Sequence, residues 1–140
     1  MAVKLLEIQV PPIGEIKLKR PDGSPMLDEN QQPCFARVHS PASKVWEVAN
    51  AAKRRKTMRR VREGGGRIEA AVDDAEDTIE FLVAITEEFV NVEVPVVDGA
   101  GGAKAMVRAI YANPALGYIR DQIEAASTDW GTFLDNSANS

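Results

Sequence analysis

Cysteine and histidine are nearly missing from this 140-residue chain, which has one of each, Cys34 and His39. A single thiol excludes an internal disulfide framework and any CxxC metal motif, and one imidazole leaves too few ligands for a zinc centre. No apolar run approaches the roughly eighteen residues of a membrane-spanning helix. Met1 to Val10 lacks the charged, apolar and small-residue succession of a secretion signal, so a cytoplasmic protein is expected. Catalytic signatures are missing as well. His39-Ser40 has no acid beside it and no glycine-serine elbow, and Cys34, between Pro33 and Phe35, reads as a small half-buried hydrophobe. Gly99-Ala-Gly-Gly-Ala-Lys104 lacks the Gly-Lys-Ser/Thr ending of a phosphate loop and reads as a linker. Asp73, Asp74, Glu76 and Asp77 lack the glycine and terminal glutamate of a calcium loop. From these absences we expect no catalytic residue, no cofactor and no metal.

What is present is enough for one core. With 44% hydrophobic residues, the chain suits a single domain over 1–134, β-rich over 1–39 and helical over 40–134, with 135–140 a disordered polar tail. The fold class expected is mainly α (α+β), with about four or five helices and a small N-terminal antiparallel sheet or hairpin. Its centre is Thr78 to Val90, where Thr78, Phe81, Leu82, Ile85 and Phe89 follow the i, i+3, i+4, i+7 spacing of a helix face. Asp73 or Asp74 would cap that helix.

Lys4–Val10 and Glu15–Lys19 alternate and predict two short strands; Cys34–Val38 offers a weaker third. Pro21-Asp-Gly23 is a turn, and 24–33 an exposed loop or hairpin tip. Ser40-Pro41 predicts a helix start, and Val45, Val48, Ala49, Ala52, Met58 and Val61 keep a helical stripe until Gly64-Gly-Gly66. Residues 92–97, broken by Pro95, predict an edge strand or extended loop. A short helix follows over Ala103–Tyr111, and Asn113-Pro114 separates it from the next. Leu116, Ile119, Ile123, Ala126, Trp130 and Phe133 then alternate in threes and fours, as in a helix-packing seam.

Two features invite partners. The net charge is −4, yet Lys53, Arg54, Arg55, Lys56, Arg59, Arg60 and Arg62 crowd into one stretch of ten residues. Such a run suits an acidic protein surface, the acids of a neighbouring copy, phosphates, or water alone. No aromatic residue interleaves with it, which disfavours single-stranded nucleic acid. Trp130, Phe133 and Leu134 place a large apolar group near the C-terminus, either clamped onto the body or open to a partner. These ten residues are the candidate protein-interaction set.

Four segments carry a resemblance. Ala36-Arg-Val-His-Ser-Pro-Ala-Ser-Lys44 with its following basic helix, Glu76-Asp-Thr-Ile-Glu-Phe-Leu82, Ile110-Tyr-Ala-Asn-Pro-Ala-Leu-Gly-Tyr-Ile-Arg-Asp-Gln-Ile123 and Asp129-Trp-Gly-Thr-Phe-Leu134 occur in this order. Together they resemble the tail assembly chaperones of long-tailed, siphovirus-type bacteriophages. The likeness spans Ile16 to Leu134 and is weakest over Val92–Gly102. It implies a non-enzymatic protein of the host cytoplasm, absent from the mature virion. Such a protein coats and solubilises the tape measure protein and helps recruit tail tube protein, and the family often makes a longer frameshifted product too. Self-association into oligomers fits the charge segregation, with the basic helix of one copy meeting an acidic surface of the next in an open head-to-tail array. The alternative is a phage structural or nucleic-acid-binding adaptor using the basic helix 53–62 on phosphates.

Overall fold

Alternation along the chain decides the sheet in the computed structural model, which describes residues 2–63, 75–92 and 102–138. β1 (Ile13–Lys17) buries Gly14 and Ile16 and exposes the residues between them. β2 (Phe35–His39) buries Ala36 and Val38 in the same rhythm. The two pair antiparallel, Gly14 opposite Val38 and Ile16 opposite Ala36, so their small and branched side chains share one face. Helices cover that face, while the other keeps Glu15, Lys17, Arg37 and Glu88 towards water.

The third strand, β3 (Thr86–Val90), completes the order β1-β2-β3 and comes from the stretch whose spacing predicts helix. The core helix α2 (Ala75–Ile85) stops at Ile85 and runs into β3 without a loop. A register shift opposite Arg37 and Val38 leaves Glu87 as the extra residue, so Thr86 and Phe89, three apart, both face inward. A bulged strand therefore imitates the i, i+3 step of a helix. The junction is held by Lys104, whose Nζ donates to the carbonyls of Val83 (2.5 Å) and Thr86 (2.7 Å). A lysine on the free carbonyls of a helix end is favoured by both hydrogen bonding and the helix dipole.

Lys4–Val10 does not form a strand. Leu5–Ile8 is a single 3₁₀ turn with no buried residue, because no neighbouring strand offers it a ladder. α1 (Lys44–Glu63) begins later than Ser40-Pro41 predicts. Ser43 is its cap, accepting from the Trp46 N–H at 3.1 Å, whereas the Ser40 hydroxyl donates to the Pro11 carbonyl at 2.6 Å.

α3 (Gly102–Ala112) turns Val107, Ile110 and Tyr111 inward as its spacing predicts. Asn113 caps the 3₁₀ turn Pro114–Leu116, accepting from the Ala115 N–H at 2.9 Å, and α4 (Gly117–Ser127) follows. The seam does not continue as one helix. Asp129 accepts from the Gly131 N–H at 2.9 Å and starts α5 (Trp130–Ala138), which re-aims Trp130 outward. α5 extends through Ala138, into the stretch read as a polar tail.

Five helices and a three-stranded antiparallel sheet thus make an α+β, mainly helical architecture among the described residues. Its core joins Ile16, Leu18, Val38, Leu82, Ile85, Ile110, Ile123 and Phe133. The expected cap at Asp73 or Asp74, the stop at Gly64–Gly66 and the extended 93–97 stretch lie outside the described residues.

Candidate functional site

The basic run is divided by the helix that carries it. On α1, Trp46, Ala49, Lys53, Lys56 and Arg60 recur at steps of three and four and face α2. The Trp46 ring meets Phe81 edge-on at 5.8 Å, and its indole N–H donates to the Ser127 carbonyl at 3.1 Å. Lys53 Nζ stands 5.5 Å from the centre of the Phe81 ring, a cation–π distance. Beyond it Lys56 pairs with Glu80 and Arg60 with Asp77. Asp77 is only 9% exposed and Arg60 is half-buried, so this last pair is partly withdrawn from water. Three of the seven cations are therefore committed within the chain.

The other four point away. Arg54, Arg55, Arg59 and Arg62 are exposed, and none pairs with an acid among the described residues. Met58 lies among them, 61% exposed, and Val48, 56% exposed, stands nearer the start of the helix, so the outer face is mixed and not purely cationic. An open hollow of about 430 Å³ runs among Ala51, Arg54, Arg55, Met58, Arg59 and Arg62. All six side chains belong to one helix, so the hollow is corrugation of a face that no other described element covers. Over 20 residues this face is about 30 Å long.

The second candidate group is split as well. Phe133 is fully buried, whereas Trp130 and Leu134, one helical turn apart, are 53% and 37% exposed. Phe133 clamps α5 onto β1, and its two neighbours stand outward. The alternation at Lys4–Val10 conceals a further apolar group: Val3, Leu5, Leu6 and Ile8 are all exposed. The root of this arm is pinned at Ser40, whose backbone N–H donates to Pro12 O at 2.8 Å. These bonds tie the arm root to the turn ahead of α1, while Trp46 ties the start of α1 to the end of α4 and Phe133 ties α5 to β1. The arginines occupy the other end of α1.

Cys34 and Ser40 are both engaged in bonds that hold the fold. Cys34 is buried, its Sγ donates to the Asn91 carbonyl at 3.2 Å, and desolvation pushes its pKa up, away from thiolate. Ser40 is held by Pro11 and its oxygen accepts from the Ala42 N–H at 3.1 Å. Among the described residues no three His, Cys, Asp or Glu side chains converge on a metal position, and no helix is long and apolar enough to cross a membrane. Comparison of the chain with family models, with curated protein sequences and with solved structures returned no match.

Proposed function

We propose that the chain is a tail assembly chaperone of a long-tailed bacteriophage. It binds the tape measure protein, keeps that protein's helices soluble in the host cytoplasm, helps recruit tail tube protein, and leaves before the tail is finished. The observation that carries this reading is the arrangement on α5, where buried Phe133 fixes a helix that presents Trp130 and Leu134 outward. A rigid aromatic-aliphatic pair suits transient grip on an apolar helix, because little side-chain entropy is lost on contact. The four ordered segments that resemble the chaperone family support the same reading. Copies of the chain associate along the tape measure, and the exposed N-terminal arm supplies that contact. The phage adaptor reading keeps four outward arginines for phosphates, but Met58 in their midst gains nothing from a nucleic-acid backbone.

Co-expression with an apolar tape measure fragment tests the proposal. The fragment is expected in the soluble fraction and to co-purify with the wild-type chain. With Trp130→Ala/Leu134→Ser it is expected to precipitate. A fragment equally soluble with that double variant, or soluble with no partner at all, would count against the reading.

A further inference from the structure

The outer face of α1 has its own seam. Val48, Ala51, Arg55, Met58 and Arg62 are spaced three, four, three and four, and Arg54 and Arg59 flank them. The inner seam of the same helix has the same plan, apolar in its first half and basic in its second, and shows what covers it. α2 lies antiparallel to α1: Asp77 meets Arg60, Glu80 meets Lys56, and Phe81 meets Lys53 and Trp46. Ala84 then borders the hollow beside Ala49 and Ala52. Along α2, acids come first and apolar groups follow, the mirror of α1.

We propose that the outer seam of α1 docks one helix of another protein, antiparallel to α1, with acidic residues in its first turns and aliphatic or small residues after them. The acids neutralise Arg55, Arg59 and Arg62, and the apolar half covers Ala51 and Val48 while a central aliphatic group meets Met58. Charge complementarity together with the three-four spacing selects a helix, since an extended strand would present side chains at period two. Neither α3 nor α4 of a second copy supplies such a helix. The exposed face of α4 carries Asp121 and Ala125, and that of α3 carries Lys104, Arg108 and Ala112, so neither offers paired acids followed by a large aliphatic group. This inference does not rest on the chaperone reading, and its test needs no phage protein.

The test is fluorescence anisotropy with three labelled peptides of about three heptads. One has glutamates in its N-terminal half and leucine and alanine along the seam of its C-terminal half; a second has the halves exchanged; a third has lysines for glutamates. The acid-first peptide is expected to bind wild type roughly tenfold more tightly than the exchanged one, and to weaken as salt is raised. Arg55→Glu/Arg59→Glu should lose roughly tenfold towards the acid-first peptide and gain affinity for the lysine peptide, with an unchanged thermal midpoint. Equal binding of both glutamate peptides by wild type would overturn the docking geometry without needing any variant. So would a duplex DNA that displaces the acid-first peptide at lower concentration. Oligomers of the chain itself that vanish on the double reversal, with peptide binding unmoved, would reassign the seam to a second copy.

Discussion

Gly14 and Phe133 are fitted to each other: a Cβ placed on Gly14 would stand 2.6 Å from Cδ1 of Phe133, closer than carbon atoms tolerate. The ring occupies the space a side chain would take and is itself fully buried, so α5 reaches β1 only because position 14 has no side chain. Gly14→Ala should destabilise the fold by about 1–3 kcal/mol through overpacking, and Phe133→Ala by about 3–5 kcal/mol through loss of burial. Urea unfolding measures both. In a Phe133→Leu background the cost of Gly14→Ala should shrink, and strictly additive costs would show that the two do not share this space.

Trp130 and Leu134 belong to the same helix but carry little of its stability. Their double replacement by Ala and Ser should shift unfolding by no more than about 1 kcal/mol, because both are already exposed. Truncation after Ser127 should instead lose the whole Phe133 contribution. Equal effects of the two changes on the thermal midpoint would refute the division of this group into anchor and grip.

The same contrast holds on α1. Asp77→Ala leaves the half-buried Arg60 without this partner and should cost about 1–3 kcal/mol, while Arg55→Ala should stay within about 0.5 kcal/mol. Chemical denaturation of the two variants side by side decides it. Similar costs would mean that the inner and outer cations are energetically alike.

Tyr111 sets an alkaline limit. It is 1% exposed, 2.7 Å from the Thr86 hydroxyl, and 5.5 Å from Phe89 in an edge-on ring contact. Burial raises its pKa above the ordinary 10.0, an effect that outweighs the opposing hydrogen bond with Thr86. The folded phenol keeps its proton where the unfolded one has lost it, so this contribution is complete below 10.0 and declines as pH rises beyond. Lys104 has the opposite sense: burial lowers its pKa from 10.5, so below 10.5 the unfolded chain holds a proton that the folded one has begun to lose, and stability rises with pH there. Comparing unfolding of wild type and Tyr111→Phe from about pH 9 to 12 isolates the phenol. The variant should lack part of the alkaline decline, and parallel curves would exclude the assignment.

The N-terminal arm should matter for assembly and not for folding. Val3, Leu5, Leu6 and Ile8 contact no core, so deleting residues 2–9 should leave the thermal midpoint within a few degrees. Sedimentation should then show smaller species than wild type at equal concentration. Unchanged sizes would remove the arm from contacts between copies.

Much of the helical part was legible because its signals are local. α3 stands where Met106, Val107, Ile110 and Tyr111 place it, and Asn113-Pro114 breaks the chain where a capping side chain and a proline can. Two readings failed for reasons that are not local. Lys4–Val10 has strand alternation but no ladder to join, and Thr86–Val90 has helical spacing because a bulge shifts its register against β2. The ten candidate residues were legible as a set, but their division was not. Lys53, Lys56, Arg60 and Phe133 face inward, and Arg54, Arg55, Arg59, Arg62, Trp130 and Leu134 outward, according to where α2 and β1 lie.

Sequence alone determined the mainly helical α+β class, the caps and breaks around Asn113, and the concentration of cations on α1, since each depends on side chains within a few turns of one another. Tertiary structure decided which half of α1 is exposed, why position 14 must be bare, and that a stretch with helical spacing becomes β3. Those outcomes follow from packing between segments as far apart as Gly14 and Phe133, whose mutual fit no local pattern encodes.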